Sequence, residues 1–478
     1  MNPKNAVRII SAFVAWTLVF TTFVSAQPVL ADEAGITVPI AESAPGFVPH
    51  NEGKRADFFD VDPSDWYYDE VMRLTEAGIL DGYSDGGFYP DKSITNAEFI
   101  KLLVADIYHA DRFQFETVLF SEHWASEYLT LAYKLGYIVS DDIRRGFEPD
   151  APIVRSDMAK FAVRALGLDT SKRVSRPFAD KADEYACTAF GEYLVRGYPG
   201  ENGTRLFGAD SQVARSEAAA MVVRMMDYAE DTYAFKREAI LENAAEYPLN
   251  YDWELIDLFY VLNRELMTGF TFTTPYSYAD WSKLYLKSNV RNLEYFYSSY
   301  LNCSYMKNSD VYNLSLEYEA DTELLEAYRD GAEEMADEVI GKIITPQMTD
   351  RDKVTAIHDY LVLNCKYDYE NYSAGTVSFE SRLAYGALCG GSAVCQGYAA
   401  AFNMLAKKVG VVSEVVTGTA PGNTDVHAWN VVRIDGKALY IDVTHDDPVP
   451  DMVGYVSYKY FLRTADEMTL LGYVWNWG

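Results

Sequence analysis

The chain has 478 residues, with 49% hydrophobic and 14% aromatic residues, and a formal net charge of −30. That length exceeds one ordinary domain and that apolar content excludes a largely disordered protein, so two or three domains are expected. So negative a chain without a basic cluster is a poor nucleic-acid binder, and an anionic partner would have to be held in local cationic pockets.

In chain order, Lys4 and Arg8 precede an apolar run from Ile9 to Val24 and then small residues. This reads as a secretory signal peptide over residues 1–31, with cleavage sites after Ala26 or Ala31; once it is removed, no stable membrane span is expected.

The next region repeats. Gly87-Phe-Tyr-Pro-Asp91, Gly146-Phe-Glu-Pro-Asp150 and Leu206-Phe-Gly-Ala-Asp210 recur, and each leads into a second box: Ile94-Thr-Asn-Ala-Glu98, Ile153-Val-Arg-Ser-Asp157 and Val213-Ala-Arg-Ser-Glu217. Thr95 and Glu98 have the spacing of a helix capping box. Apolar periodicity on both sides predicts helix–loop–helix units at 57–110, 118–170 and 177–228, too small to stand alone and therefore packed together. These motifs resemble the S-layer homology domain of secreted bacterial proteins. The resemblance implies an all-α three-repeat module that binds an anionic cell-wall polysaccharide through the box arginine, matched here by Arg155 and Arg215. Asn96 departs from that pattern and puts the first box in doubt. It also implies a secreted protein held at the cell wall and surface.

Residues 229–345 are expected to be a mostly helical connecting region or subdomain, with helices over Tyr251–Thr268 and Thr322–Ile344 and a tyrosine-dense stretch, Tyr276–Tyr305, that reads as core.

The last region, 346–478, holds the chemistry. Cys395 opens a helical run after Gly390 and Gly391, where the helix N-terminus favours thiolate. His427 stands on one strand and Asp442 on the next, joined by an Asp435-Gly436 turn. With a two-residue loop, Ile434 pairs with Lys437, so Asp442 falls opposite Trp429, diagonal to His427 and on its face. A cysteine nucleophile, a histidine base and an orienting aspartate follow from that pattern. Cys389 is the rival nucleophile, and Cys365 and Cys389 are open to pairing in an odd set of five cysteines. No metal or cofactor is expected: the six histidines show no pair at ligand spacing, and His427, His445 and Asp446 are the one grouping that offers cation ligands.

The strings Ala393-Val-Cys-Gln-Gly-Tyr-Ala399, His427-Ala-Trp-Asn430 and Ile441-Asp-Val-Thr-His-Asp-Asp-Pro448 resemble the bacterial transglutaminase-like, papain-related core. The resemblance implies an α+β fold with an antiparallel sheet and a nucleophile-bearing helix, and a protein or peptide substrate attacked through a thioester. Gln396, Tyr398 and Trp429 are then candidates for shaping the cleft. His445 stands where the family usually has Trp. The alternative is a non-catalytic wall-binding scaffold whose cleft only holds peptides.

Overall fold

The computed structural model describes residues 58–475 apart from 106–114, 116–117, 173–176, 202–203, 307–308 and 423–424; the expected signal peptide lies outside the described residues. The chain divides into two compact units, Met1–Ala239 and Ile240–Gly478. Among the described residues, no helix is long and apolar enough to cross a membrane.

The first unit is built from three helix pairs: Tyr68–Glu76 with Asn96–Val104, Ser126–Lys134 with Arg155–Ala165, and Glu184–Gly191 with Arg215–Glu230. The Thr95–Glu98 capping box is formed in both directions, at 3.2 and 2.9 Å. Asp60 and Asp180 do equivalent work in the first and third pairs. Each carboxylate accepts two consecutive backbone N–H groups, Phe88 and Tyr89 in one case and Phe207 and Gly208 in the other. The second pair has Ser121 at that position.

The extended residues ahead of the three second helices bond to one another in a cycle: Ile94 N to Val213 O, Val213 N to Ile153 O, and Ile153 N to Ile94 O. The three small cores thus share one junction, lined by buried Ile94, Ile153 and Val213. The unit is not purely helical as expected: this junction consists of isolated bridges, and β1 (Tyr198–Pro199) pairs antiparallel with β2 (Arg205–Leu206) in the third pair.

The second unit adds a sheet to the helices expected in the connecting region. Helices Asp252–Arg264 and Thr322–Ile343 lie where the periodicity puts them, but between them stand β3 (Gly269–Thr273), β4 (Ser298–Tyr305) and β5 (Val311–Tyr318) in an antiparallel sheet of order β3-β5-β4. Val311–Tyr318 alternates exposed and buried along its length, with Tyr312, Leu314 and Leu316 facing in.

The remainder of the unit places the candidate residues. Short strands β6 (Lys366–Tyr367) and β7 (Ser392–Ala393) pair in parallel just ahead of the helix Cys395–Lys408. That helix packs its Ala399, Phe402 and Leu405 side into a core shared with the helix Asp350–Asn364 and with Val415, Val432 and Ile441 of the main sheet. The sheet has order β10-β9-β8-β11, formed by β8 (Ser413–Thr419), β9 (His427–Ile434), β10 (Lys437–Ile441) and β11 (Val474–Trp475). Lys437 pairs with Ile434 and Ile441 with Asn430, the register of a two-residue loop. Asp435 and Gly436 both have positive φ, 50° and 73°, which that tight turn requires.

Candidate functional site

Cys395 is the first residue of its helix, where backbone N–H groups have no partner within the helix and the dipole is positive. The approach to it is held on both sides: Val394 N donates to Ser381 O at 2.9 Å and Asp368 N to Ala393 O at 3.0 Å. Gly397 is required by this crowding, because a Cβ there would lie 2.7 Å from Ser381 O and 2.9 Å from Leu383 O.

His427 and Asp442 are buried, 4% and 0% exposed, and His427 Nε2 donates to Asp442 Oδ2 at 2.7 Å. The Cys395 thiol interacts with the same imidazole. Burial opposes charge on the imidazole, but the Asp442 carboxylate and the Cys395 bond outweigh it and push His427 up to about 10. Asp442 is held well below the usual carboxylate range: burial opposes its charge, and His427 and His445 more than offset that. The hairpin and the helix therefore bring thiol, imidazole and carboxylate together.

Asp442 has further partners. His445 Nδ1 reaches Oδ2 at 2.7 Å, Tyr473 Oη donates to the same oxygen at 2.5 Å, and His445 N donates to Oδ1 at 3.2 Å. Tyr473 Oη also lies 2.8 Å from His445 Nδ1. Sequence reasoning missed Tyr473, which no motif marks, and took His445 only as a departure in the cleft wall. Among the described residues, the grouping that offers cation ligands is His427, Asp442 and His445. Asp446 instead turns to the buried His358, at 3.3 Å, and to the Ser457 hydroxyl.

Two cleft candidates are corrected. Trp429 shares His427's face of β9 but is 1% exposed, because its indole is covered by Tyr440, Tyr473 and Trp475 beneath the imidazole. Tyr398 is 0% exposed, since the second turn of its helix lies in the core; its hydroxyl donates to Asp447, and burial pushes the phenol far up. Gln396 is half-buried at the helix start. Cys365 and Cys389 are free thiols rather than a pair: Cys365 Sγ contacts Lys366 O, and Cys389 Sγ contacts Gly331 O at 3.4 Å. Burial pushes both thiols up, which disfavours their thiolates.

In the first unit, Arg155 and Arg215 are each 8% exposed and span neighbouring pairs. Arg155 Nε donates to Phe207 O at 3.0 Å and Nη1 to Glu217 at 3.2 Å; Arg215 Nε donates to Phe88 O at 2.8 Å and Nη2 to Asp81 O at 3.2 Å. Each guanidinium also lies over a tyrosine, Tyr198 and Tyr83 respectively. They are not solvated helix-start residues. Arg215 borders a cavity of about 180 Å³ together with Tyr83, Glu98, Lys101 and Trp124. Asn96 holds the corresponding place in the first box, and its amide donates to Glu148 O at 2.9 Å.

Residues 337–443 match the transglutaminase-like superfamily model, and residues 57–100 match the S-layer homology domain model. Part of the chain is similar to the surface-layer 125 kDa protein of Lysinibacillus sphaericus, with 32% identity over 126 residues, which is 25% of this chain and 11% of that protein. A cellulosome-anchoring protein of Acetivibrio thermocellus is 30% identical over 115 residues, 23% of this chain and 26% of that protein. The chain thus spans 11% and 26% of the length of these two relatives. A solved structure described as a TGase aligns with 41% of this chain and 53% of its own, at 16% identity and a TM-score of 0.23, too low to carry weight.

Proposed function

We propose that this chain, which carries an S-layer homology domain and a transglutaminase-like domain, is a cell-wall-anchored cysteine acyl-transfer enzyme acting on protein or peptide at the bacterial surface. The observation that supports it most is Cys395 at a helix start, bonded to an imidazole that Asp442 holds at 2.7 Å. His427 holds the proton of the Cys395 thiol as an imidazolium, and the sulfur attacks a carboxamide carbon. The backbone N–H of Cys395 serves the developing oxyanion. The imidazolium returns its proton to the departing amine or ammonia, leaving a thioester. Water then completes hydrolysis, or a primary amine forms a new amide.

Anchoring rests on the first unit, read as three S-layer homology repeats. The module is placed at the cell wall by binding an anionic polysaccharide, with the remaining guanidinium N–H groups of Arg155 and Arg215 as charge-assisted donors. Because Asn96 lacks such donors, the groove of the first box contributes least.

The test pairs labelling with chemistry. Iodoacetamide below pH 7 is expected to alkylate Cys395 in the folded protein and to spare Cys365 and Cys389. Mass spectrometry of cell-wall material treated with the protein should then show peptide cleavage or amine incorporation that Cys395→Ala lacks. A Cys395 that stays unlabelled would favour a peptide-binding scaffold.

A further inference from the structure

We propose that His427 Nε2, Asp442 Oδ2 and His445 Nδ1 form a binding site for a divalent transition ion of the Zn²⁺ type, and that its occupancy arrests acyl transfer. The three ligand atoms lie within 4.8 Å of one another. Two imidazole nitrogens and one carboxylate oxygen suit Zn²⁺ or Co²⁺, whereas Ca²⁺ and Mg²⁺ require a shell of oxygens.

The ligands are gathered before any ion arrives. Asp442 caps the turn that carries His445, so two of the three come from one four-residue segment. The third stands on the paired strand, with its ring stacked over Trp429 at 5.9 Å. The His445 side chain is 30% exposed, and this gives an entry path to an otherwise buried carboxylate. Tyr473 Oη, 2.8 Å from His445 Nδ1, or a water completes four-coordination. The present 2.7 Å N–O contacts are hydrogen bonds. Ligands about 2.1 Å from a tetrahedral ion stand roughly 3.4 Å apart, so each contact must open by about 0.7 Å. The protons on Nε2 of His427 and Nδ1 of His445 leave to solvent, because both nitrogens must present lone pairs.

The functional consequence rests on the acyl-transfer reading. With the ion on Nε2, the one proton left to His427 is on Nδ1. A metal-bound neutral imidazole is a far weaker acid than an imidazolium, so the departing amine is not protonated and turnover stops. The His445 ligand comes from the position where the family usually has Trp, which ties the site to this chain.

Binding is tested in the full chain carrying Cys395→Ser, which removes a competing thiolate ligand and any dependence on turnover. Co²⁺ should give the intense visible bands of a tetrahedral site, Zn²⁺ should abolish them, and excess Ca²⁺ should leave them unchanged. His445→Gln on that background should weaken the site by about 100-fold, at or beyond the loss usual for a supporting residue. Should that variant not fold, Zn-edge X-ray absorption of the Cys395→Ser protein decides: two imidazole ligands support the site, and none overturns it. Absence of tetrahedral bands, or bands unchanged by His445→Gln, also overturns it. In the unsubstituted protein, Zn²⁺ should abolish turnover and EDTA should restore it. Full turnover at saturating Zn²⁺ would overturn the inhibitory role while leaving the acyl-transfer reading intact.

Discussion

The two units use buried charge in opposite ways. In the first, Arg155 and Arg215 are anchored mainly to backbone carbonyls of a neighbouring pair, an arrangement repeated around a cycle in which Asn96 stands in for a third arginine. In the second, His427 and Asp442 depend chiefly on each other and exist once. Repetition tolerates a missing charge, because the remaining boxes keep theirs. A single set of thiol, imidazole and carboxylate does not tolerate one.

Substitutions in that set should break it outright. Cys395→Ala is expected to lower turnover by about 10⁴-fold or more, and His427→Ala by nearly as much, since members of such a unit fail together. Cys389→Ser should retain most activity; loss of turnover there with retention in Cys395→Ala would reverse the assignment. Asp442→Asn should cost less, about 10³-fold, because it orients rather than reacts. A pH series sharpens the same point. His427 lies near 10, so the protonated ring persists through neutral pH, and turnover should fall as pH rises through about 10.

In the cycle, effects should be graded. Arg215→Ala and Arg155→Ala should each weaken sedimentation with purified cell walls by about tenfold, with the double variant weaker than either, as expected when charge-assisted contacts of about 1.5–3 kcal/mol are removed. Circular dichroism must accompany these assays, because both side chains also tie neighbouring pairs together. Undiminished wall binding by a folded double variant would remove the arginines from the interface.

A separate effect is expected on stability. Asp447 is buried, and desolvation raises it to about 6 despite the bond from Tyr398. Its folded value therefore exceeds the unfolded one, so the fold gains from this group below about pH 4 and loses that gain as pH rises through 6. Asp447→Asn should raise the unfolding free energy at pH 8 by up to about 3 kcal/mol and add nothing at pH 4. Equal effects at both pH values would refute the burial account.

Much of this was legible in the sequence, for reasons that differ between elements. The turn at Asp435-Gly436 fixes register by backbone geometry alone, so the placement of Asp442 on the His427 face could be worked out from residue numbers. The repeats announced themselves by copying, yet their helices begin from bridges that no local propensity encodes, since each partner lies about sixty or more residues away. The sheet of β3, β4 and β5 has its clearest local mark in the alternation of Val311-Tyr-Asn-Leu-Ser-Leu-Glu-Tyr318, because its pairing is set by contacts between segments far apart in sequence. Tyr398 and Trp429 are buried for different reasons: helix periodicity turns Tyr398 into the core, whereas Trp429 shares His427's face and is covered by aromatic side chains from distant parts of the chain. Tyr473 joins Asp442 from thirty-one residues downstream, a tertiary contact without a local signature.

The cycle joining Ile94, Ile153 and Val213 carries one last consequence. A linear stack of repeats frays from its ends and loses stability one copy at a time. A closed ring has no end from which to fray, and two copies alone leave the junction's donors and acceptors unmatched. Unfolding of this module should therefore be all-or-none, and a nascent chain cannot complete it until the third box has left the ribosome.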